Sequence, residues 1–289
     1  MNKYDLFMDV SGDLMPDIAD KAGVKLLPMD FIIGGNVYTY TDRADGIDPI
    51  EFYQHVKNRE AISTTQIPPS FYEEYFDPIL ASGVSALYLC LSSGLSSTYQ
   101  SACFAAKTLK EKYPNVDLVP IDALQATVGM GLLGERMIKN RDDGMDIFAN
   151  KQDVEAAREK ITTTGVVDDL DALKRGGRIS AAVAVIGGLL NFKPVILINP
   201  DGTIKMSTTM HGIKKALKYF VDLYANTRDE SYNIIYVMHA DEDKNSSLLV
   251  EMLLERFPDL QIRRRLLSPI IGAHLGSGLV GVGFYKKVN

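Results

Sequence analysis

The stretch VSALYLCLSSGLSSTYQSA (84–102) says most about the fold. Its opening, Val84 to Leu91, is an apolar run bounded by a polar cluster. A short run of this kind reads as a strand buried on both faces, the situation in a parallel sheet covered on each side by crossover helices. A helix follows over 97–112, so the unit is strand, loop, helix. The loop is polar in a particular way: Ser92, Ser93, Ser96, Ser97, Thr98 and Ser101 supply hydroxyls and no charge. Uncharged hydrogen-bond donors are concentrated where the strand ends.

Outward from this unit the same rhythm continues. Strands are predicted near 4–8 and 116–121, with helices near 69–82 and 127–140, the alternation of a parallel sheet with crossovers. Residues 25–41, with Gly34-Gly35-Asn36 in the middle, read as a hairpin. The helix at 49–59 has Asp48 as N-cap, Pro49 at its first position and Glu51 three after the cap. After about residue 160 the pattern changes to an apolar helix at 180–191 and a hairpin turning at Asn199-Pro200-Asp201-Gly202. A helix at 212–226, a strand at 232–239, a helix at 245–256 and strands at 261–267 and 279–287 complete the chain. The fold class expected is α/β in two domains. Residues 1–160 form a three-layer α/β/α domain with a mainly parallel sheet, and 161–289 a second α/β domain with a mixed sheet. The early hairpin could pack on either half.

Composition narrows the function. Thirty-one Lys+Arg against 37 Asp+Glu give a net charge of −6, which argues against nucleic acid as a partner. The two cysteines, Cys90 and Cys103, have neither metal spacing nor the density of a disulfide scaffold, and read as reduced thiols. MNKYDLFMDV at the start has no signal-peptide pattern, and the longest apolar run, AAVAVIGGLL (181–190), is too short to span a bilayer. A cytoplasmic protein without a transmembrane segment is the expectation.

Two segments match G-x-G-x-x-G, but neither has the strand-turn-helix context of a dinucleotide site. Gly129, Gly131 and Gly134 lie inside a helical pattern, where close packing explains them, and Gly276, Gly278 and Gly281 precede a strand. No P-loop is present, and His55, His211, His239 and His274 never reach metal-site spacing. His274 is set apart by the glycines of IGAHLGSG (271–278), read as a loop between the last two strands. Asp9, Asp122, Asp168, Asp169 and Asp241 fall at strand ends, where capping is favoured over a magnesium site. In DDLDALKRGGRIS (168–180), acids first and bases last complement a helix dipole, and Gly176 suits a C-cap. Arg178 falls outside that account, because it leads into an apolar segment and needs a partner for its charge.

Five segments in order resemble the DegV family of bacterial proteins: DVSGDL (9–14), STTQ (63–66), LSSGLSSTYQSA (91–102), LKRGGRIS (173–180) and IGAHLGSG (271–278). The resemblance runs the length of the chain. It implies a two-domain α/β protein that binds a long-chain fatty acid, with no other cofactor and no metal. It also implies a carboxylate held by Thr64 and Ser96, with Arg178 and His274 nearby. Ser63, Thr65 and Ser93 complete the expected ligand-binding set. Some members act as carriers presenting the acid to a separate fatty acid kinase, so an ATP-binding kinase subunit is an implied partner and the chain itself is not an enzyme. The chain departs from the family pattern at Val10, Thr65, Ser97 and Ala123, and has no arginine in STTMHGIKK (207–215), where family carriers have Arg-Thr.

The residues agree with this independently in one respect. Burying roughly fourteen methylenes at about 0.8 kcal/mol each gives a gross gain of about 11 kcal/mol, so a tail can supply most of the affinity. Hydroxyls and free N–H groups at a helix start near Ser96 can then satisfy a carboxylate without a permanently buried cation. The competing reading is an enzyme acting on a small carbonyl or phosphate substrate. There His274 would be the nucleophile, activated by a strand-end acid, as in the fold-related dihydroxyacetone kinases.

Overall fold

The computed structural model describes residues 4–42, 47–168, 170–179, 191–241 and 243–287. The first half runs Tyr4–Asp9 (β1), Pro16–Ala22 (α1), Lys25–Leu27 (β2), Met29–Ile33 (β3), Asn36–Tyr40 (β4), Pro49–Lys57 (α2) and Ile62–Thr64 (β5). It continues with Pro69–Ala81 (α3), Ser85–Cys90 (β6), Thr98–Lys112 (α4), Leu118–Asp122 (β7), Thr127–Asp142 (α5) and Ile147–Ala157 (α6). The second half runs Ile161–Val166 (β8), Leu170–Arg175 (α7), Phe192–Ile198 (β9), Ile204–His211 (β10) and Ile213–Thr227 (α8). Ile234–His239 (β11), Asp243–Arg256 (α9), Gln261–Leu266 (β12), Pro269–Leu275 (α10) and Val280–Tyr285 (β13) follow.

The apolar runs of β1, β6 and β7 form the centre of a parallel sheet in the order β2-β1-β6-β7. Residues 86–90 of β6 are wholly buried, as a strand covered on both faces requires. Helices α3 and α4 pack together against β6, while α5 and α6 pack together against β1 and β7. The second sheet is mixed, in the order β10-β9-β8-β13-β11-β12, with β11 and β12 parallel and its other pairings antiparallel. The amphipathic α8 and the helix α9 cover one face of it, with Phe220 and Tyr224 fully buried there.

Helix α5 lies between the sheets, packing on β1 from one side and on β8, β11 and β13 from the other. Its glycines have a packing reason. A Cβ on Gly129 would lie 2.1 Å from Thr163 Oγ1, and one on Gly134 2.9 Å from Met8 Sδ. Helix α2 starts where its cap signal placed it, Asp48 accepting from the Ile50 amide at 2.8 Å.

The structure departs from the sequence reading in several places. Residues 25–41 are not one hairpin: β2 leaves to pair with β1, and only β3 and β4 fold back on each other, across Gly34 and Gly35 with φ of 56° and 90°. That turn needs left-handed backbone at both central residues, which glycine supplies. Strand β5 then pairs with β3, Thr64 opposite Phe31. Helix α6 and strand β8 were not anticipated. Strand β8, ITTTGV, offers threonines and a glycine in place of an apolar run. His274 is not in a loop but on α10, which Ser268 and Pro269 initiate and Gly276 ends with φ of 77°. So short a helix shows no periodicity that sequence reading can detect. The apolar helix expected at 180–191 falls mostly outside the described residues, as does Asp169.

Candidate functional site

A cavity of about 490 Å³ opens where the small sheet β4-β3-β5, the mixed sheet and the loop after β6 of the parallel sheet meet, within the range of small-molecule pockets. Apolar side chains dominate its wall, among them Leu91, Leu95, Ile196, Ile198, Ile270 and Leu275. Polar groups gather where β5, the C-terminal end of α10, the serine-rich loop and the segment after α7 converge.

There Thr64 Oγ1 lies 2.8 Å from His274 Nε2. The Phe31 pairing fixes Thr64 on its short strand, and the helix ending at Leu275 presents His274 to it. Burial, and after it the Arg178 guanidinium, push the imidazole down to about 4, so the ring is neutral at ordinary pH. Its other nitrogen, Nδ1, is buried with no partner among the described residues. Arg178 donates from Nε to the Leu95 carbonyl at 3.2 Å and from Nη1 to the Gly176 carbonyl at 2.5 Å. Among the described residues no carboxylate pairs with it. Arg178 thus ties the loop bearing Ser96 to the segment that follows α7.

The serine-rich loop divides into two roles. Ser92 is fully buried, donating to the Gly202 carbonyl at 2.9 Å and accepting from the Gly94 amide at 3.1 Å. Gly94 permits that close approach, since a Cβ there would sit 2.8 Å from the Gly202 carbonyl carbon and force the backbone to shift. The β6–α4 loop therefore docks on the β9–β10 turn, joining the halves. Ser93, Ser96 and Ser97 line the cavity. Ser96 Oγ lies 2.9 Å from Thr98 Oγ1 and accepts from the Thr98 amide at 3.3 Å, at the start of α4.

Of the residues singled out from sequence, Thr64, Thr65, Ser93, Ser96, Arg178 and His274 meet at this cavity. Ser63 does not. Successive residues of a strand face opposite ways, and Ser63 turns to a separate, more polar depression bounded by Arg59 and Arg175. The strand-end acids are committed elsewhere. Asp9, fully buried, accepts from the Leu91 amide at 2.7 Å and from the Tyr88 hydroxyl, and burial raises it to about 7. Asp122 accepts from the Ser93 and Leu124 amides at 3.1 and 3.0 Å, Asp168 pairs with Lys193 and Asp241 with Lys57. Among the described residues none orients His274, and no cluster of three or more His, Cys, Asp or Glu is placed to hold a metal.

Sequence reading missed the remaining wall: Thr127, Thr163, Thr164, Gly165 and Met238, with Ile270 and Ile271 of α10. It also missed Asp13, fully buried, which accepts from the Thr127 hydroxyl at 2.6 Å and from the Ser268 amide at 3.0 Å, and so anchors the start of the helix carrying His274. Burial raises Asp13 to about 6 against the opposing charge of Arg265. The Asp13-Leu14 ending of DVSGDL is the available signal, and by sequence alone it stands only as part of a family motif.

The family model described as "Uncharacterised protein, DegV family" matches residues 3–287. A DegV domain-containing protein of Clostridium perfringens is 33% identical over 286 residues, covering 98% of each chain. A fatty-acid-binding DegV family protein from Thermus thermophilus is similar in structure, with TM-score 0.85 and 27% identity over 99% of this chain and 100% of that one. Another fatty-acid-binding DegV family protein, from Streptococcus agalactiae, matches with TM-score 0.86 and 26% identity over 100% of both chains.

Proposed function

The chain belongs to the DegV family, and on that premise we propose that it binds a long-chain fatty acid, acyl chain in the cavity and carboxylate at the Thr64–His274 end. The observation that carries this reading is the cavity itself: an apolar wall with neutral hydroxyls, one neutral imidazole and one guanidinium that has no carboxylate partner among the described residues, gathered together. The chain division near residue 160 belongs to the same reading, supported by the sheets drawing their strands from separate stretches on either side of it.

The head-group chemistry follows from donor accounting. With the imidazole proton on Nε2, His274 donates to Thr64 Oγ1 and leaves the Thr64 hydroxyl proton for the ligand. With Thr98 Oγ1 as donor to Ser96 Oγ, which also accepts from the Thr98 amide, the Ser96 proton is likewise free. Two hydroxyl donors and the Arg178 field then satisfy a carboxylate, with Ser93 and Thr65 beside them. Ser63 is dropped from this set. The protein acts without catalysis of its own, as a cytoplasmic carrier handing the acid to a separate kinase.

The test is mass spectrometry of the organic extract of gently purified protein, which will show fatty acid in roughly stoichiometric amount. Absence of lipid, together with no uptake after delipidation, would sink the reading. Thr64→Ala with Ser96→Ala will weaken retention of the acid more than that of its uncharged methyl ester.

A further inference from the structure

Helix α10 runs along the cavity and its two ends mark different chemistry. At its C-terminal end His274 meets Thr64. At its N-terminal end the Ser268 amide donates to Asp13, which also holds the Thr127 hydroxyl. From residue 268 to 274 a helix rises about 9 Å, so Thr127 belongs to a region well removed from the head group.

The hydroxyls of that region are already used. Thr127 donates to Asp13, Thr163 to Gln125 Oε1 at 2.8 Å and Thr164 to the Ile196 carbonyl at 2.7 Å. With those protons directed away, these threonines offer the cavity acceptor oxygens but no free donor, in contrast to the hydroxyls at the head-group end. Thr127 is also held at φ of 47°, uncommon for a β-branched residue, so its orientation is imposed by its surroundings. Beside it lies Met238, whose sulfur is 3.9 Å from Thr127 Oγ1. Met238 pairs with Gly281 on β13, and Gly281 pairs in turn with Gly165 on β8. Gly165 also lines the cavity, and a Cβ on it would stand 3.4 Å from Met238 Cε and 3.5 Å from Leu279 Cδ1, ordinary contact without clash. Gly281 differs, because a Cβ there would meet the Thr164 carbonyl oxygen at 2.3 Å. Gly165 can therefore accept a methyl, and its present lack of one leaves room between two cavity-lining side chains.

We propose that Thr127, Met238 and Gly165 form a tail gauge, a part of the cavity that takes an unsubstituted alkyl terminus and sets the acyl length retained. This deepens the fatty-acid reading and rests on it. Met238, unbranched and flexible, is the adjustable element, and Gly165 the fixed one. A ligand carrying a second, ionised carboxyl, which can only accept, finds no free donor among the described residues at this end and is rejected.

The experiment titrates delipidated full-length protein with lauric, myristic, palmitic, stearic and arachidic acids, and with the α,ω-dicarboxylic form of the best of them. Gly165→Ala will shift the preferred acid shorter, weakening the longest retained acid about fourfold for each methylene no longer accommodated while leaving the shortest unchanged. Met238→Ala will shift the preference longer. Opposite shifts cannot both come from loss of folding, which lowers all affinities together. The α,ω-dicarboxylic acid will bind at least tenfold more weakly than its parent. If the wild-type protein binds the acids and the two variants keep its length profile, the gauge is wrong and the lipid site stands. If the wild-type protein binds none of them, the lipid reading and the gauge fall together.

Discussion

Asp9 offers a direct measurement of how dry the base of the serine-rich loop is. Its carboxylate is fully buried, accepts from the Leu91 amide and the Tyr88 hydroxyl, and is raised by burial from 3.8 to about 7. The folded protein therefore holds a proton at Asp9 that the unfolded chain has released between about pH 4 and pH 7. Stability must fall as pH rises through that window. At about 1.36 kcal/mol per pH unit, the displacement from 3.8 to about 7 amounts to about 4 kcal/mol, fully expressed above pH 7. Asp9→Asn abolishes the titration and keeps an oxygen to accept from Leu91. The new amide can donate to the Tyr88 hydroxyl, which turns its own proton to Tyr72, 2.8 Å away. Urea denaturation of both proteins at a series of pH values, in the same lipid state, reads the difference in unfolding free energy. The variant will gain on the wild-type protein by about 4 kcal/mol between pH 4 and pH 8. Parallel stability curves would refute the reasoning, because they would show that the carboxylate ionises without cost.

His274 gives the opposite sign. Lowered from 6.5 to about 4, it is neutral in the folded protein while the unfolded chain takes up a proton, so stability falls as pH drops through that window. His274→Gln will remove this dependence, and an NMR titration of the ring with a midpoint near 6.5 would contradict its burial. At the seam between the halves, Gly94→Ala drives a methyl to within 2.8 Å of the Gly202 carbonyl carbon and 2.9 Å of the Asp201 carbonyl oxygen. The backbone on both sides must shift, at a cost of about 1–3 kcal/mol read from the denaturant midpoint. An unchanged midpoint would mean the loop does not dock tightly on the β9–β10 turn.

The elements legible in the sequence were those whose burial is uniform or whose ends carry local chemistry. Strand β6 is apolar throughout because both its faces are covered, and α2 begins at Asp48 because the cap acts within a few residues. Strand β8 was illegible for the complementary reason. Thr163 and Thr164 are buried, but their hydroxyls are satisfied by Gln125 and Ile196, which only the fold brings near. The glycines of α5 were read as packing, but what they pack against, Thr163 and Met8, lies on different sheets.

At the site, the sequence by itself determined the types of group available: uncharged hydroxyls after β6, a histidine among glycines and an arginine without an obvious partner. Only the tertiary structure decided their use. It separated Ser92, which locks the loop to the β9–β10 turn, from Ser96, which faces the cavity, and it turned Ser63 away while bringing Thr64 to His274 across 210 residues of sequence. It also decided the protonation states, since the same aspartate or histidine titrates differently once water is removed from around it. Local chemistry is written along the chain, but desolvation and long-range pairing are properties of the packed molecule, and at this cavity they govern which hydroxyls keep a proton to donate.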